Sequence, residues 1–301
     1  MSPNEEIKLP PEVTQRLTRR SDAKGLVQLA AHLSMLVLAG TGLQLSRDSL
    51  LLVVTLPLYG ALLIFLFAPL HETIHFTAFK TRWLNNLVAA PIGFLLLIPF
   101  RYFRVFHYAH HRHTQNPELD PELIDIKPLI RRRYWLYLSG LPTWWQSLVS
   151  IWRHAGGIVD ESYIETRHHA TIITEARLHI AGYGLLFLIS LFASNAFLWW
   201  FWVLPALLAQ PLLRLYLLAE HSGCDFSDNM LENSRTTYST PWLCFLAWNM
   251  PFHAEHHYMA SVPFHALPAL HAYTGQRVKH RSDGYYKVNR EIAARRGDQP
   301  A

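Results

Sequence analysis

Four apolar stretches restrict what this chain can become more than any other feature, because each is long enough to cross a bilayer as a helix, which takes about 20 residues. The first runs from about Leu26 to Leu45, and the polar turn Ser46–Ser49 leads into the second, from about Leu50 to Leu70. The third and fourth share the run from Ile180 to Glu220, with Ala193–Ala196 as the turn between them. Only 16% of the 301 residues are charged and 50% are hydrophobic. Soluble domains usually carry about a quarter charged residues. The expectation is an all-α integral membrane protein with four transmembrane helices.

Positive charge orients it. Arg16, Arg19, Arg20 and Lys24 precede the first span; Lys80, Arg82, Arg101, Arg104 and Arg131–Arg133 follow the second; the two short turns hold only Arg47. Lys and Arg collect on the cytoplasmic side, so both termini are expected there. Residues 1–25 lack the basic start and immediate apolar core of a signal peptide and read as a cytoplasmic tail. Residues 26–275 read as the membrane domain and 276–301 as a polar, partly disordered tail.

Leu84–Phe100 is apolar but short, and is interrupted by Pro91, Gly93 and Pro99. Proline removes a helix hydrogen bond, and a full crossing would move the following arginines outside. A bent segment that dips in and returns fits better. Tyr134–Trp152, rich in Trp and Tyr, suits a helix lying in the interface. Cys224 and Cys244 form neither a disulfide framework nor a thiolate metal site.

The 18 histidines are the other oddity. His71-Glu72-Thr73-Ile74-His75 spells H-E-x-x-H, which in zinc proteases places two ligands one turn apart with the glutamate as base. His107, His110 and His111 stand at i, i+3, i+4, and so do His253, His256 and His257; on a helix each triplet shares a face. His221 ends the fourth span. Given the topology, all nine lie on one side of the membrane in a cytoplasmic helical cap. His113 points off the shared face, and His265 and His271 read as structural or supporting. Nine imidazoles exceed the needs of one metal and suit two centres of four or five nitrogens. Imidazole binds Zn, Cu, Fe and Ni alike. A redox pair implies oxygen chemistry on hydrocarbon; zinc, having no redox chemistry, implies hydrolysis.

The ordered boxes HETIH, HYAHH, the histidine at 221 and HAEHH resemble the membrane fatty acid desaturase and hydroxylase superfamily, over about His71 to His271. The stretch WNMPFHAEHH followed by SVPFHALPALH is similar to bacterial acyl-lipid desaturase-type members. The resemblance implies two irons held by His71, His75, His107, His110, His111, His221, His253, His256 and His257, with O2 as co-substrate. It implies a lipid or acyl substrate that is desaturated, or alternatively hydroxylated. No His-Pro-Gly-Gly haem motif is present, so electrons would come from an external ferredoxin, rubredoxin or cytochrome-like carrier; no nucleic-acid partner is expected. Glu72, Asp120, Glu220, Asn249 and Glu255 are candidates to orient the imidazoles from behind, and Glu232–Thr237 to close the site. Arg214, inside the fourth span, needs a partner. A zinc protease using His71, Glu72 and His75 leaves both triplets unexplained, and a metal transporter would set its ligands near the bilayer midplane.

Overall fold

The computed structural model describes residues 7, 9–124, 131–193 and 195–294. The ends of both expected tails (1–6 and 295–301) and Ser194 of the expected turn lie outside the described residues. Helix α1 (Pro11–Leu17) buries Leu17 and joins through a short break to α2 (Asp22–Ser46), so part of the expected N-terminal tail is helical. The Ser21 side chain accepts from Lys24 N–H and caps α2, satisfying one of the free donors at its first turn. α2 turns back into α3 (Leu52–Ile64), which breaks at Phe65 and Leu66 and resumes as α4 (Phe67–Ile74).

α5 (Arg82–Leu96) and α6 (Phe100–His113) meet at 95°. The expected bent segment is therefore present, and its cause is local. Leu97 takes φ 60°, Pro99 starts the next helix, and Gly93 lets the chain fold back, since a Cβ there would stand 2.5 Å from Ile98 O. After the short α7 (Pro121–Ile124), the expected interface helix divides into α8 (Arg131–Leu138) and α9 (Leu141–Ala155). Gly140, at φ 69°, makes the corner against Gln210, where a Cβ would be 2.6 Å from that side chain. Trp135, Trp145 and Trp152 remain exposed, as amphipathic helices at a membrane surface leave them.

α10 (Thr166–Phe192) begins well before the apolar run, because its polar first half buries Ile172, Glu175, Ala176 and His179 against the protein. A π-helical turn (Trp199–Val203) leads into α11 (Leu204–His221), which packs along α3. The contact is close because Gly60 brings α3 against Pro205 O, where a Cβ would be only 2.6 Å away. Four helical segments, Pro11–Ser46, Leu52–Ile74, Thr166–Phe192 and Trp199–His221, are long and apolar enough to cross a membrane. Val37, Leu38, Val53, Leu185, Phe187 and Phe192 are among their exposed side chains, a surface suited to lipid rather than water.

Beyond α11 come β1 (Arg235–Tyr238), α12 (Pro241–Leu246), α13 (His253–Tyr258), α14 (Leu267–Thr274), β2 (His280–Asp283) and α15 (Tyr285–Ala294). β1 and β2 pair in parallel from Arg235↔His280 to Tyr238↔Asp283. The expected polar C-terminal tail is thus folded through residue 294. α15 lies on α11, with Tyr285 stacked on Tyr216 at 5.0 Å and Asn289 Nδ2 donating to Leu215 O at 2.9 Å.

Candidate metal centre

The nine histidines come from four elements that end at one place. α4 supplies His71 and, at its C-cap, His75; α6 supplies His107, His110 and His111; α11 ends on His221; α13 carries His253, His256 and His257. Eight of the nine are buried and His111 is half-buried.

They form two groups. His71, His75, His107, His111 and His256 each offer a nitrogen within 4.8 Å of every other, and His110, His221 and His257 do the same. His253 joins the second group through its Nε2, 2.9 Å from His221 Nε2. The groups touch where His111 and His257 stack at 4.0 Å. Each triplet is therefore divided rather than aimed at one centre. Neighbouring helix residues point about 100° apart, so i and i+4 serve one group and the intervening histidine the other. His107 and His111 go to the first group and His110 to the second; His253 and His257 go to the second and His256 to the first.

Spacing and chemistry both fit a metal. His107–His111, His111–His256, His110–His221 and His221–His253 bring Nε2 atoms to 3.0, 3.1, 3.2 and 2.9 Å. Two imidazole nitrogens bound at about 2.0–2.1 Å to one metal, at right angles, stand about 3 Å apart. Both ring nitrogens of His71, and His75 Nε2, His107 Nδ1, His256 Nδ1 and His257 Nε2, are buried without a hydrogen-bond partner. Buried polar atoms normally find partners, and a cation would satisfy those turned inward. Burial, reinforced by neighbouring imidazoles, holds His75, His256 and His257 well below the usual histidine range. They are neutral at pH 7, the form that ligates.

Every member of the second group has a polar atom of another residue within 3.3 Å of its Nδ1. His110 Nδ1 meets Asp120 Oδ1 at 2.9 Å, His253 Nδ1 meets Glu220 Oε1 at 3.3 Å, His221 Nδ1 meets Asn233 O at 3.1 Å and His257 Nδ1 meets Thr114 Oγ1 at 3.2 Å. A carboxylate or carbonyl only accepts, so Nδ1 of His110 and of His221 carries the proton and their Nε2 keeps its lone pair. Burial alone would raise the Asp120 carboxyl, but the bonds from His110 and the Gln115 and Glu122 N–H groups hold it below the ordinary carboxylate value.

Of the expected orienting residues, Asp120 and Glu220 reach histidines of the site and three do not. Glu72 Oε2 accepts from Thr77 Oγ1 at 2.9 Å and Phe264 N at 3.1 Å. Asn249 Nδ2 donates to Phe264 O. Glu255 holds His271 Nδ1 at 2.5 Å and accepts from Thr236 Oγ1 at 2.6 Å, tying α13 to α14 and β1. Thr114 was not anticipated; Asn233, within the Glu232–Thr237 segment, acts through its backbone carbonyl. His265 stands apart from both groups, and burial lowers it to about 4. Arg214 is buried beside Thr143 Oγ1 at 3.5 Å and forms no ion pair among the described residues. A small cavity is lined by the apolar residues Phe65, Phe67, Ala68, Leu213, Tyr216 and Met250 together with His71 and Glu220.

Fold and site together define a helical integral membrane protein with two adjoining buried imidazole groups suited to metal. The fatty acid desaturase family model matches residues 48–288, a span holding all nine histidines, and the chain belongs to that family. Similar curated proteins are sn-1 oleoyl-lipid 12-desaturases. That of Synechocystis sp. is 24% identical over 229 residues, covering 67% of this chain and 62% of its own length. Those of Picosynechococcus sp. and Anabaena variabilis are 22% and 24% identical over 67% of this chain, and 62% and 49% of their lengths. The chain thus spans less than two thirds of each of these relatives.

Proposed function

We propose that this protein is a desaturase that introduces a double bond into an acyl chain carried on a membrane lipid, using two irons held by the nine histidines. The two adjoining groups of buried, neutral imidazoles carry the reading. A single hydrolytic zinc needs three protein ligands and an open position, so it leaves most of the nine unexplained. Iron so held supplies the oxidation, in which O2, two electrons and two protons turn a saturated C–C pair into C=C and two waters.

The protein's own residues do the rest. His71, His75, His107, His111 and His256 would hold one iron; His110, His221, His253 and His257 the other, with Asp120 and Asn233 keeping the inward nitrogens of His110 and His221 deprotonated and Glu220 standing beside His253. A small apolar cavity lined by Phe65, Phe67, Ala68, Leu213, Tyr216 and Met250 touches His71, so apolar side chains adjoin the first group. The lipid-linked acyl groups named for the relatives favour a lipid substrate. Electrons come from an external ferredoxin, rubredoxin or cytochrome-like carrier. The positive charge around the first two spans supports a site facing the cytoplasm of a bacterial inner membrane.

The test is mass spectrometry of lipids from cells expressing the protein or its His256→Ala variant. Acyl chains lacking two hydrogens only with the wild-type protein support desaturation. Chains gaining one oxygen indicate hydroxylation, and no change in lipid under adequate iron and reductant refutes the proposal.

A further inference from the structure

The first histidine group depends on a helix end whose geometry is unusual. α4 closes with two backbone bonds, Phe76 N to Thr73 O at 3.1 Å and Thr77 N to Glu72 O at 3.2 Å. This is the Schellman pattern, whose left-handed residue is usually glycine. Here it is phenylalanine, Phe76, at φ 58°, a conformation that side chains with a Cβ adopt at a cost.

The surroundings explain the choice. Two guanidinium groups approach the Phe76 ring, Arg104 at 4.2 Å and Arg82 at 4.4 Å from its centroid, a favourable cation–π arrangement. Arg104 continues from there. Its Nε donates to Ile74 O at 3.1 Å and its NH2 to Asn86 Oδ1 at 2.7 Å. Tyr108, one turn along α6, donates its hydroxyl to the same Ile74 O at 2.9 Å. A carbonyl left without a partner at the end of α4 is thus capped twice from α6, and one planar guanidinium joins α4, α5 and α6. Arginine's fixed fork suits that task in a way lysine's single ammonium does not.

We propose that Arg104, braced on Phe76, is a positioning residue that sets the first metal site and not the second. This rests on the two-metal reading above. α4 contributes His71 and His75 to the first group and nothing to the second, whereas α6 and α13 contribute to both and α11 only to the second. Loosening the α4–α6 junction therefore withdraws two of five ligands from one site and leaves the other intact.

Iron per chain, measured by elemental analysis on purified protein, and cobalt titration of demetallated protein test this without reference to turnover. Wild type should hold two irons and show two cobalt-binding phases. Arg104→Gln should retain about one iron and lose one cobalt phase, with Arg104→Lys between the two. Phe76→Gly guards against misfolding: glycine suits the left-handed position, so the melting temperature should hold while iron falls toward one. Two irons in both Arg104→Gln and Phe76→Gly would overturn the proposal and leave the two-metal reading standing. Loss of both irons in parallel with a fall in melting temperature would also overturn it, as a general packing role. A wild-type protein with fewer than two metal sites would remove the reading itself, and the proposal with it.

Discussion

Replacing Asp120 by asparagine should weaken the second metal site by a predictable amount. Asp120 is 1% exposed, and its two oxygens serve His110 Nδ1–H at 2.9 Å, Gln115 N–H at 2.8 Å and Glu122 N–H at 2.9 Å. All three are donors, so every contact requires an acceptor. An asparagine can keep its oxygen toward His110 and Glu122 N–H only by turning its amide donor toward the Gln115 N–H. One buried donor is then left unmet, at about 1–3 kcal/mol, and the charge that holds the His110 proton on Nδ1 is lost. That penalty lowers stability with or without metal; removing a group that orients a ligand typically costs a further ~10–100-fold, about 1.4–2.8 kcal/mol, in metal affinity. Competition against a chelator, with cobalt as the reporting ion, should show one of two sites weakened by that factor and the other unchanged. Equal affinity of both sites in wild type and Asp120→Asn would refute the claim that this carboxylate fixes His110.

Two further outcomes follow. His75, His256 and His257 have folded-state pKa values below their unfolded value of about 6.5; the unfolded chain binds protons that the folded chain refuses, so stability falls as pH drops below about 6.5. Metal-free protein should melt at a lower temperature at pH 5.5 than at pH 7.5, whereas Asp120, whose pKa is lowered, adds acid sensitivity only below about pH 4; a flat profile from 7.5 to 5.5 would contradict the burial argument. Glu72→Gln should keep measurable desaturation in a lipid assay that finds His253→Ala inactive, because Glu72 bonds Thr77 and Phe264 rather than a histidine; the reverse result would restore the HExxH protease reading.

The sequence made the spans legible through their length and apolarity, and the bend through Gly93 and Pro99, whereas Pro91 lies inside the continuous helix α5. The histidines were legible because helical spacing predicts which side chains share a face. Two centres were expected from the number of histidines, but which histidine serves which centre was not, since whether His110 joins His107 or leaves it depends on where α11 ends. Choosing orienting carboxylates by nearness in sequence worked unevenly for a similar reason. Glu72 beside His71 and Glu255 beside His256 each point about 100° from their neighbour. Glu220 succeeds through His253 on another helix, and Asp120 through a loop that folds back on α6. Asn233 acts through a backbone carbonyl, which no side-chain pattern reveals. The C-terminal helix was missed because α15 buries only Val288 and Asn289 along a polar sequence.

Metal content of the purified protein tests the central claim most directly. The nine-histidine arrangement predicts close to two irons per chain under adequate iron, with little zinc, and a Mössbauer spectrum of nitrogen-rich iron in two sites. A single zinc per chain, with both triplet histidines at His107 and His253 dispensable for its binding, would contradict it.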